Sequence, residues 1–310
     1  MKYTTLGRTG MRISRVSLGC WRFGVETDEA TATKLIHHAL DKGINLIDTA
    51  NIYAGGVSEE IVGRAIKGRR HEVVLATKVW GKMGDGPNDR GLSRYHIMRA
   101  VEDSLRRLQT DHIDLYQIHA VDPDTPLEET LDALDDLVRQ GKVRYIGVSN
   151  HPAWMTCKAL WISDVKGYAR FVSAQPRYNL LDRKAEEELI PLCIDQGIGI
   201  INYSPLAQGL LSGKYRKGQE PPEGSRFARY EHMRRMLTDD VLDRVERLAK
   251  YAEERGYTVA QLAIAWLLAK PGVTSPILGA TSIEQLDENL KGVEWELTPE
   301  EVQEVEELAK

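Results

Sequence analysis

Three successive apolar segments of the 310-residue chain end on ionisable side chains, at Asp48, Lys78 and His119, and Tyr53 follows the first of these by five residues. A buried lysine ammonium beside a phenol favours the phenolate, so it lowers the pKa of the phenol from its usual value of about 10. An aspartate would keep that ammonium charged in a low-dielectric site. A histidine would donate a hydrogen bond to a carbonyl oxygen. Together these groups could protonate an oxyanion as it forms, which suits addition of a nucleophile to an aldehyde or ketone.

Each of these residues also has a structural interpretation when it is taken alone. Asp48 could cap a turn, and Tyr53 could pack in a loop. Lys78 could end a strand as it leaves the core, and His119 could be a hydrogen-bonded core residue. The recurrence of the pattern in three consecutive segments favours one shared catalytic set. No His-x-His or HExxH motif occurs, so no metal site is expected.

The segments that carry these residues belong to a regular alternation of short β-branched runs and longer amphipathic stretches. The runs predict eight strands, over residues 16–19, 44–48, 73–78, 113–119, 144–148, 171–174, 198–202 and 274–278. The amphipathic stretches predict helices over residues 29–42, 59–67, 94–108, 127–140, 152–165, 184–196, 259–269 and 283–290. Most of the runs are nearly continuous in apolar residues, as strands buried on both faces of a parallel sheet are. The alternation predicts an α/β fold, a (β/α)8 TIM barrel, with its active site at the carboxyl ends of the strands.

Three segments fall outside this repeat. Residues 2–14 are predicted to form an N-terminal hairpin that closes the amino-terminal end of the barrel. Residues 214–237 form a long polar loop after strand seven, and because such loops are usually functional, we expect a lid. Threonine, proline and two glutamates open the segment 298–310, which predicts a C-terminal tail helix. No linker-like or low-complexity stretch occurs, so residues 1–310 are predicted to form a single domain.

Composition restricts the class of protein. A net charge of −5 and a pI near 6.0 provide no basic surface for nucleic acid or an anionic membrane, so neither partner is expected. Three cysteines without CxxC spacing argue against a disulfide framework and fit a reducing compartment. The first residues lack the apolar core of a signal peptide, and no apolar stretch approaches the roughly 18 residues of a membrane span. We therefore expect a cytoplasmic protein.

The later strands end in residues that suit a nicotinamide dinucleotide. Ser149 and Asn150 follow strand five and Gln175 follows strand six, and their hydroxyl and amide groups suit a nicotinamide carboxamide. Tyr203 ends strand seven, where its ring could stack on the nicotinamide. Strand eight runs into the small residues of segment 279–282, which leave backbone N–H groups free for phosphate. Because no GxGxxG motif occurs, a Rossmann dinucleotide site is not predicted.

Motifs along nearly the whole chain carry a resemblance to a known family. The motifs are GINLIDTANIY, VVLATKVW, DLYQIH, GVSNH, QPRYNLLDR, YSPLAQGLLSGKY and ILGATSIEQLDENL. The chain resembles the aldo-keto reductase superfamily, and it is most similar to the bacterial and potassium-channel-β-subunit-like branch. The resemblance implies a (β/α)8 barrel that binds NADP(H) in extended form. It implies Tyr53 as the general acid/base and Lys78 as the modulator of its pKa. Asp48 would hold Lys78, and His119 would polarise the substrate carbonyl.

The resemblance also assigns residues to the cofactor. Ser149, Asn150 and Gln175 would bind the carboxamide, and Tyr203 would stack on the nicotinamide. The pyrophosphate would lie along Ser204, Leu206, Gln208, Leu211 and Ser212. The adenosine end would be held by Lys214, Ser225, Arg226, Gly279, Thr281, Ser282, Gln285, Glu288 and Asn289. Arg226 matters most for NADP over NAD, because a guanidinium can grip a 2′-phosphate with paired hydrogen bonds.

The substrate pocket is predicted from residues that follow strands one, three and five. These residues are Trp21, Arg22, Trp80 and His151. Aromatic walls at a barrel mouth suit a modest carbonyl compound, such as a sugar, an aryl aldehyde or a keto acid. We therefore expect reversible, NADPH-dependent reduction of an aldehyde or ketone to the alcohol. The alternative is an NADP(H)-binding sensor or regulatory subunit with little turnover, and no sequence feature specifies an oligomeric state.

Overall fold

A computed structural model describes residues 1–310, and parallel strands form the centre of the molecule. An antiparallel hairpin, β1 (Tyr3–Thr5) and β2 (Arg12–Ser14), comes first. The parallel strands are β3 (Ser17–Gly19), β4 (Leu46–Asp48), β5 (Val74–Val79), β6 (Ile113–Ile118), β7 (Val143–Ser149), β8 (Phe171–Gln175), β9 (Gly199–Ile200) and β10 (Ile277–Gly279). The helices are α1 (Glu29–Asp41), α2 (Val57–Ala65), α3 (Arg94–Leu108), α4 (Leu127–Arg139), α5 (Ala153–Lys166), α6 (Leu189–Gln196), α7 (Arg226–Arg229), α8 (Asp239–Glu253), α9 (Val259–Ala269), α10 (Ile283–Lys291) and α11 (Pro299–Leu308).

The strands form one sheet in the order β10-β3-β4-β5-β6-β7-β8-β9, with every neighbouring pair parallel. Backbone hydrogen bonds join the two ends of this sheet. The N–H of Thr274 donates to Ile200 O at 2.8 Å, and the N–H of Ile277 donates to Asn202 O at 2.9 Å. These bonds close the sheet into a ring with helices outside it, so the predicted (β/α)8 barrel is confirmed.

Alternation along the strands decides which side chains enter the barrel. Leu46, Ala76 and Leu115 belong to a small apolar cluster inside the ring. Of the residues that follow them, Ile47 and Tyr116 belong instead to the larger core between strands and helices. Because side chains of a strand alternate between its two faces, positions 48, 78 and 117 return to the inside, above the small cluster. The sequence therefore places polar groups in the upper layer of an otherwise apolar barrel.

The hairpin closes the amino-terminal end of the barrel, as predicted. Leu6 and Ile13 are fully buried and belong to the small cluster inside the ring. The N–H of Arg8 donates to Gly197 O at 2.9 Å. Gly7 has a φ of +55°, and a Cβ there would lie 2.6 Å from Gly197 O, so the turn requires glycine. The polar groups above therefore have water access only from the carboxyl-terminal end.

The tail helix α11 begins as predicted: Thr298 Oγ1 accepts from the N–H of Glu301, and the carboxylate of Glu301 accepts from the N–H of Thr298. Its Glu306 accepts hydrogen bonds from Trp266 Nε1 at 3.2 Å and from Lys270 Nζ at 2.7 Å. These contacts attach the tail to α9 on the outside of the barrel. None of the helices in the protein has both the length and the apolar character needed to cross a bilayer.

Three predictions about the segments around the strands need correction. Helix α8 was not predicted, although buried Leu242, Val245, Leu248 and Ala252 recur at helical spacing within its charged sequence. The predicted helix over 184–196 is divided into a 3-10 turn and the shorter α6. The predicted loop 214–237 also contains α7 and a 3-10 segment, so it is a folded cover rather than an irregular loop. The barrel consequently carries α8 and α9 between β9 and β10.

Candidate active site

Asp48, Lys78 and Tyr53 meet at the carboxyl end of β4 and β5. Lys78 Nζ donates to Asp48 Oδ2 at 2.6 Å, to Thr49 O at 2.7 Å and to Tyr53 Oη at 3.3 Å. The side chain of Lys78 is fully buried, and that of Asp48 is almost so. Tyr53 begins the short turn Tyr53–Gly56 that leads from β4 into α2, which turns its ring back over the ammonium. The sequence prediction that these three groups come together is consistent with this geometry.

The second oxygen of Asp48 is held by two amides. Asp48 Oδ1 accepts from Gln117 Nε2 at 3.1 Å and from Gln175 Nε2 at 2.9 Å. Gln175 Nε2 also donates to Gln117 Oε1 at 3.1 Å. The carboxylate therefore accepts from three side chains, each on a different strand, and a charge-assisted network of this kind is stronger than isolated neutral bonds. Burial lowers the pKa of Lys78, but Asp48 and Tyr53 raise it, and the net direction is upward, so the ammonium stays charged at neutral pH.

The predicted lowering of the pKa of Tyr53 is wrong for this structure. Burial raises that pKa, Lys78 lowers it, Asp48 raises it, and the net result lies above the usual value of 10. Tyr53 is therefore a phenol at neutral pH, with a cation 3.3 Å away that stabilises the phenolate once a proton has left. That protonation state suits an acid that donates to an oxyanion.

His119 follows β6 and lies beside the phenol. Its ring and that of Tyr53 meet edge to face with centroids 5.7 Å apart. Burial lowers the pKa of His119 to about 3, and the charge of Lys78 acts in the same direction. The imidazole is consequently neutral at physiological pH, with one N–H to donate. No three His, Cys, Asp or Glu side chains in the protein are arranged to share a metal ion.

Residues predicted for the nicotinamide form one hydrogen-bonded chain next to His119. Ser149 Oγ donates to Gln175 O at 2.9 Å, and Asn150 Nδ2 donates to His119 O at 2.9 Å. Tyr203 Oη donates to Asn150 Oδ1 at 2.8 Å, which holds the phenol at the rim of the barrel. The amide group of Gln175 donates to Asp48 and to Gln117, so only its Oε1 remains for a ligand.

Several loops that follow the strands hold a strained backbone. Ala54, Asn150, Ser204, Ala207 and Gln208 have left-handed conformations, with φ between 48° and 58°. Such a conformation costs a non-glycine residue about 1–3 kcal/mol, and in proteins generally residues with this strain cluster at functional sites. Here they follow β4, β7 and β9, at the same end of the barrel as the polar network.

Some of the residues predicted for the adenosine end have buried polar atoms with no partner. Ser225 Oγ, Arg226 Nε and Asn289 Nδ2 make no hydrogen bond in the protein. Buried polar groups are otherwise nearly always paired, so three orphans among residues assigned to one ligand fit a bound nucleotide. Others of the set bond within the chain: Gln285 Oε1 accepts from Thr281 N–H, and its own N–H donates to Ser282 Oγ.

The remaining assigned residues lie in the loops after β9 and β10. Leu206 precedes the 3-10 segment Ala207–Ser212, which contains Gln208, Leu211 and Ser212. Leu211 is fully buried, so only its backbone can meet a ligand. Gly279 is exposed at the end of β10. On α10, Lys291 Nζ donates to Glu288 Oε1 at 2.6 Å. Lys214 lies at the start of the folded cover.

The four predicted substrate residues fall into two groups. Trp80 Nε1 donates to Val121 O at 3.0 Å in the loop after His119. His151 is buried; burial lowers its pKa to about 4, and a hydrogen bond with the backbone of Ala120 opposes that shift. Trp21 instead lies under the guanidinium of Arg226, and Arg22 pairs with Glu26.

Comparison with known proteins shows the family of the chain. A model of the aldo/keto reductase family matches residues 15–310. The chain belongs to the aldo/keto reductase family. Members of this family are oxidoreductases that generally use nicotinamide cofactors.

Relatives align with this aldo/keto reductase over nearly its whole length. A Bacillus subtilis protein named "uncharacterized oxidoreductase YrpG" is 45% identical over 97% of this chain and 93% of its own. A "probable voltage-gated potassium channel subunit beta" of Arabidopsis thaliana is 42% identical over 95% of this chain and 92% of its own. The "versiconal hemiacetal acetate reductase" of Aspergillus parasiticus is 38% identical over 99% of this chain and 96% of its own. The family resemblance inferred from the motifs is confirmed.

Two buried polar groups of this aldo/keto reductase were missed by sequence reasoning. Gln117 lies two residues before His119 on a strand, and that spacing alone indicates the same inward face. Glu59 is fully buried on α2, where it accepts from Thr77 Oγ1 at 2.5 Å and from Arg107 Nε at 2.7 Å. This second network ties α2, and with it the turn that carries the phenol, to β5 and α3.

Proposed function

We propose that this protein catalyses reversible, NADPH-dependent reduction of an aldehyde or ketone to the alcohol, with Tyr53 as general acid/base. The observation that carries the proposal is the buried ammonium of Lys78, 2.6 Å from Asp48 Oδ2 and 3.3 Å from Tyr53 Oη. An ammonium so close to a phenol stabilises the phenolate that remains when the proton is donated. A purely structural role would not call for a charged lysine in this position, because burying charge is costly.

The reaction divides between the bound group and the side chains of this chain. The nicotinamide, when bound, supplies the hydride. As negative charge develops on the carbonyl oxygen, the hydroxyl of Tyr53 would donate its proton to that oxygen. In the reverse direction the phenolate would take the proton of the alcohol. Neutral His119 would donate a hydrogen bond to the same oxygen, which orients the substrate and stabilises its charge.

The residues around the mouth support both ligands. Asn150 and the free Oε1 of Gln175 would bind the carboxamide of the nicotinamide. At the adenosine end, the unpartnered Ser225 Oγ–H and Arg226 Nε–H would donate hydrogen bonds to the nucleotide, and a 2′-phosphate would accept from the guanidinium. The buried, neutral imidazole of His151 would offer a ring nitrogen to a polar substituent of the substrate. This favours a carbonyl compound with a second polar group, such as a sugar or keto acid.

The variant Tyr53→Phe tests the proposed acid. We expect carbonyl reduction to fall by about 10²–10⁴-fold, since that is the usual contribution of a general acid, while NADPH binding stays within about twofold. Tyr116→Phe is the matched control, because Tyr116 is fully buried on the same barrel, faces the helices and has no partner for its hydroxyl. If Tyr53→Phe reduces carbonyls as fast as the control does, another group supplies the proton and the proposed mechanism is wrong.

A second candidate function is an NADP(H)-binding regulatory subunit with little turnover. The observation in its favour is the 42% identity to a protein named as a potassium channel β subunit. The charged and hydrogen-bonded acid network argues for turnover, because sensing a nucleotide would not require it. A panel of aldehydes and ketones, monitored by loss of NADPH absorbance beside an NADH control, separates the two. Binding of NADPH without turnover of any panel member would favour the regulatory function.

A further inference from the structure

Three cations lie where the loop after β3 meets the folded cover. Arg22 comes from that loop, and Lys214 and Arg226 come from the segment after β9. The guanidinium of Arg226 lies over the ring of Trp21, with its Cζ 4.6 Å from the ring centroid. This cation–π contact joins Trp21, the neighbour of Arg22, to Arg226, which lies about 200 positions later in the chain.

The charges of these cations lower the pKa values of Lys214 and Arg226. Burial lowers the pKa of Lys214, and the charges of Arg22 and Arg226 lower it further. Burial also lowers the pKa of Arg226, and Arg22 again adds to the effect. Three positive charges in a shared, partly buried space favour a polyvalent anion between them.

One carboxylate faces this cluster. Arg22 Nη1 is 2.6 Å from Glu26 Oε2, and the side chain of Glu26 is 11% exposed. The backbone fixes the pair, because the N–H of Glu26 donates to Arg22 O at 3.0 Å. Glu26 opposes the effect of the cations on both Lys214 and Arg226, so its charge reaches the whole cluster. An anionic ligand would therefore compete with Glu26 for the guanidinium of Arg22, and the carboxylate of Glu26 would repel that ligand.

We propose that the Arg22–Glu26 pair sets how strongly this site prefers a 2′-phosphorylated nucleotide over the unphosphorylated one, with Arg22 as a third phosphate-binding cation and Glu26 as its internal competitor. The inference rests on the proposed function, and it moves Arg22 from the substrate pocket, where the sequence prediction placed it, to the cofactor. Neutralising Glu26 leaves the guanidinium free and removes a repulsive charge. Neutralising Arg22 removes one of three attractive charges and leaves Glu26 uncompensated.

Binding titrations test this without any need for turnover. NADPH, NADH, 2′,5′-ADP and 5′-AMP would be titrated by calorimetry into wild type, Glu26→Gln, Arg22→Gln and the control Arg216→Gln. Arg216 is an exposed cation two residues from Lys214 with no ion-pair partner, so its loss changes net charge alone. We expect Glu26→Gln to raise the preference for 2′,5′-ADP over 5′-AMP by about 3–10-fold, since one unit charge is removed from a partly screened site. Arg22→Gln should lower it by about tenfold, and the control should leave it within about twofold.

The possible outcomes separate the inference from the proposed function. If Glu26→Gln weakens binding of 2′,5′-ADP, Glu26 orients Arg22 for the phosphate and the competitor role is overturned. If Arg22→Gln changes binding of both nucleotides equally, Arg22 does not meet the 2′-phosphate. Either result, with NADPH still bound by the wild type, leaves the proposed reduction intact. If the wild type binds neither NADPH nor NADH, the proposed function fails, and the inference fails with it.

Discussion

Replacing Asp48 with asparagine should destabilise the barrel mouth, because this carboxylate accepts from three donors at once. Oδ2 accepts from Lys78 Nζ, and Oδ1 accepts from Gln117 Nε2 and Gln175 Nε2. An asparagine has one acceptor oxygen and one NH2 group. Whichever way its amide is turned, the NH2 group faces another donor. The variant thus loses the ion pair and also leaves at least one buried donor unsatisfied.

The size of the effect follows from the burial of the partner. Lys78 is fully buried, and removing one member of a buried ion pair typically costs about 3–5 kcal/mol, because the remaining charge is uncompensated. Native proteins are stable by about 5–15 kcal/mol, so the Asp48→Asn protein should still fold and be measurable. A surface pair gives the contrast: Asp287→Asn removes the partner of Lys42 and His38 at an exposed site and should cost less than about 1 kcal/mol.

The pH dependence identifies the lysine as the source of the loss. In the folded wild type the pKa of Lys78 is raised above its value in the unfolded chain. The contribution of Lys78 to the free energy of unfolding is therefore fully present below the unfolded-state pKa, and it is lost as pH rises through the folded-state pKa. Without Asp48, burial should depress that pKa below 10.5. The unfolded chain then binds more protons between the two values, so the stability of the variant rises with pH there. The deficit relative to wild type should therefore shrink between about pH 7 and about pH 9.

Urea unfolding of wild type, Asp48→Asn and Asp287→Asn at those two pH values is the assay. The reasoning would be refuted if Asp48→Asn unfolded with the same free energy as Asp287→Asn at about pH 7. It would also be refuted if the deficit of Asp48→Asn stayed constant across the two pH values, because the loss would then not involve a buried charge. Activity needs no part in either measurement.

Two further predictions concern the histidine and the folded cover. His119, with a pKa of about 3, should show no ring titration between about pH 5 and about pH 8 by NMR, and a midpoint in that range would contradict its neutral role. Phe227→Ala should loosen residues 214–237, because Phe227 is fully buried and its ring packs edge to face on Tyr215 with centroids 4.8 Å apart. Limited proteolysis within that segment should quicken while the exposed control Arg229→Ala stays like wild type, and equal rates for the two variants would contradict the anchoring role.

Much of the buried polar network could be predicted because side chains alternate between the two faces of a strand. Asp48 and Lys78 end apolar runs, and their spacing from Leu46 and Ala76 determines which face they occupy. Gln117 could have been found in the same way. The direction of the pKa shift of Tyr53 could not be predicted in this way. It depends on the balance between burial and a neighbouring ammonium, and only the tertiary packing sets that balance.

The amino-acid pattern by itself determined the barrel, its hairpin and tail, and the end of the barrel at which polar side chains collect, because periodicity and strand order are local properties. The tertiary structure decided which loops meet. Closure of the ring joins β10 to β3 and to the segment after β9, and this brings Trp21 and Arg22 against Arg226. No local pattern records such a contact, since it depends on how the whole sheet curves. That is why the sequence places Arg22 with the substrate residues, whereas the fold places it near Arg226, a residue predicted to bind the cofactor.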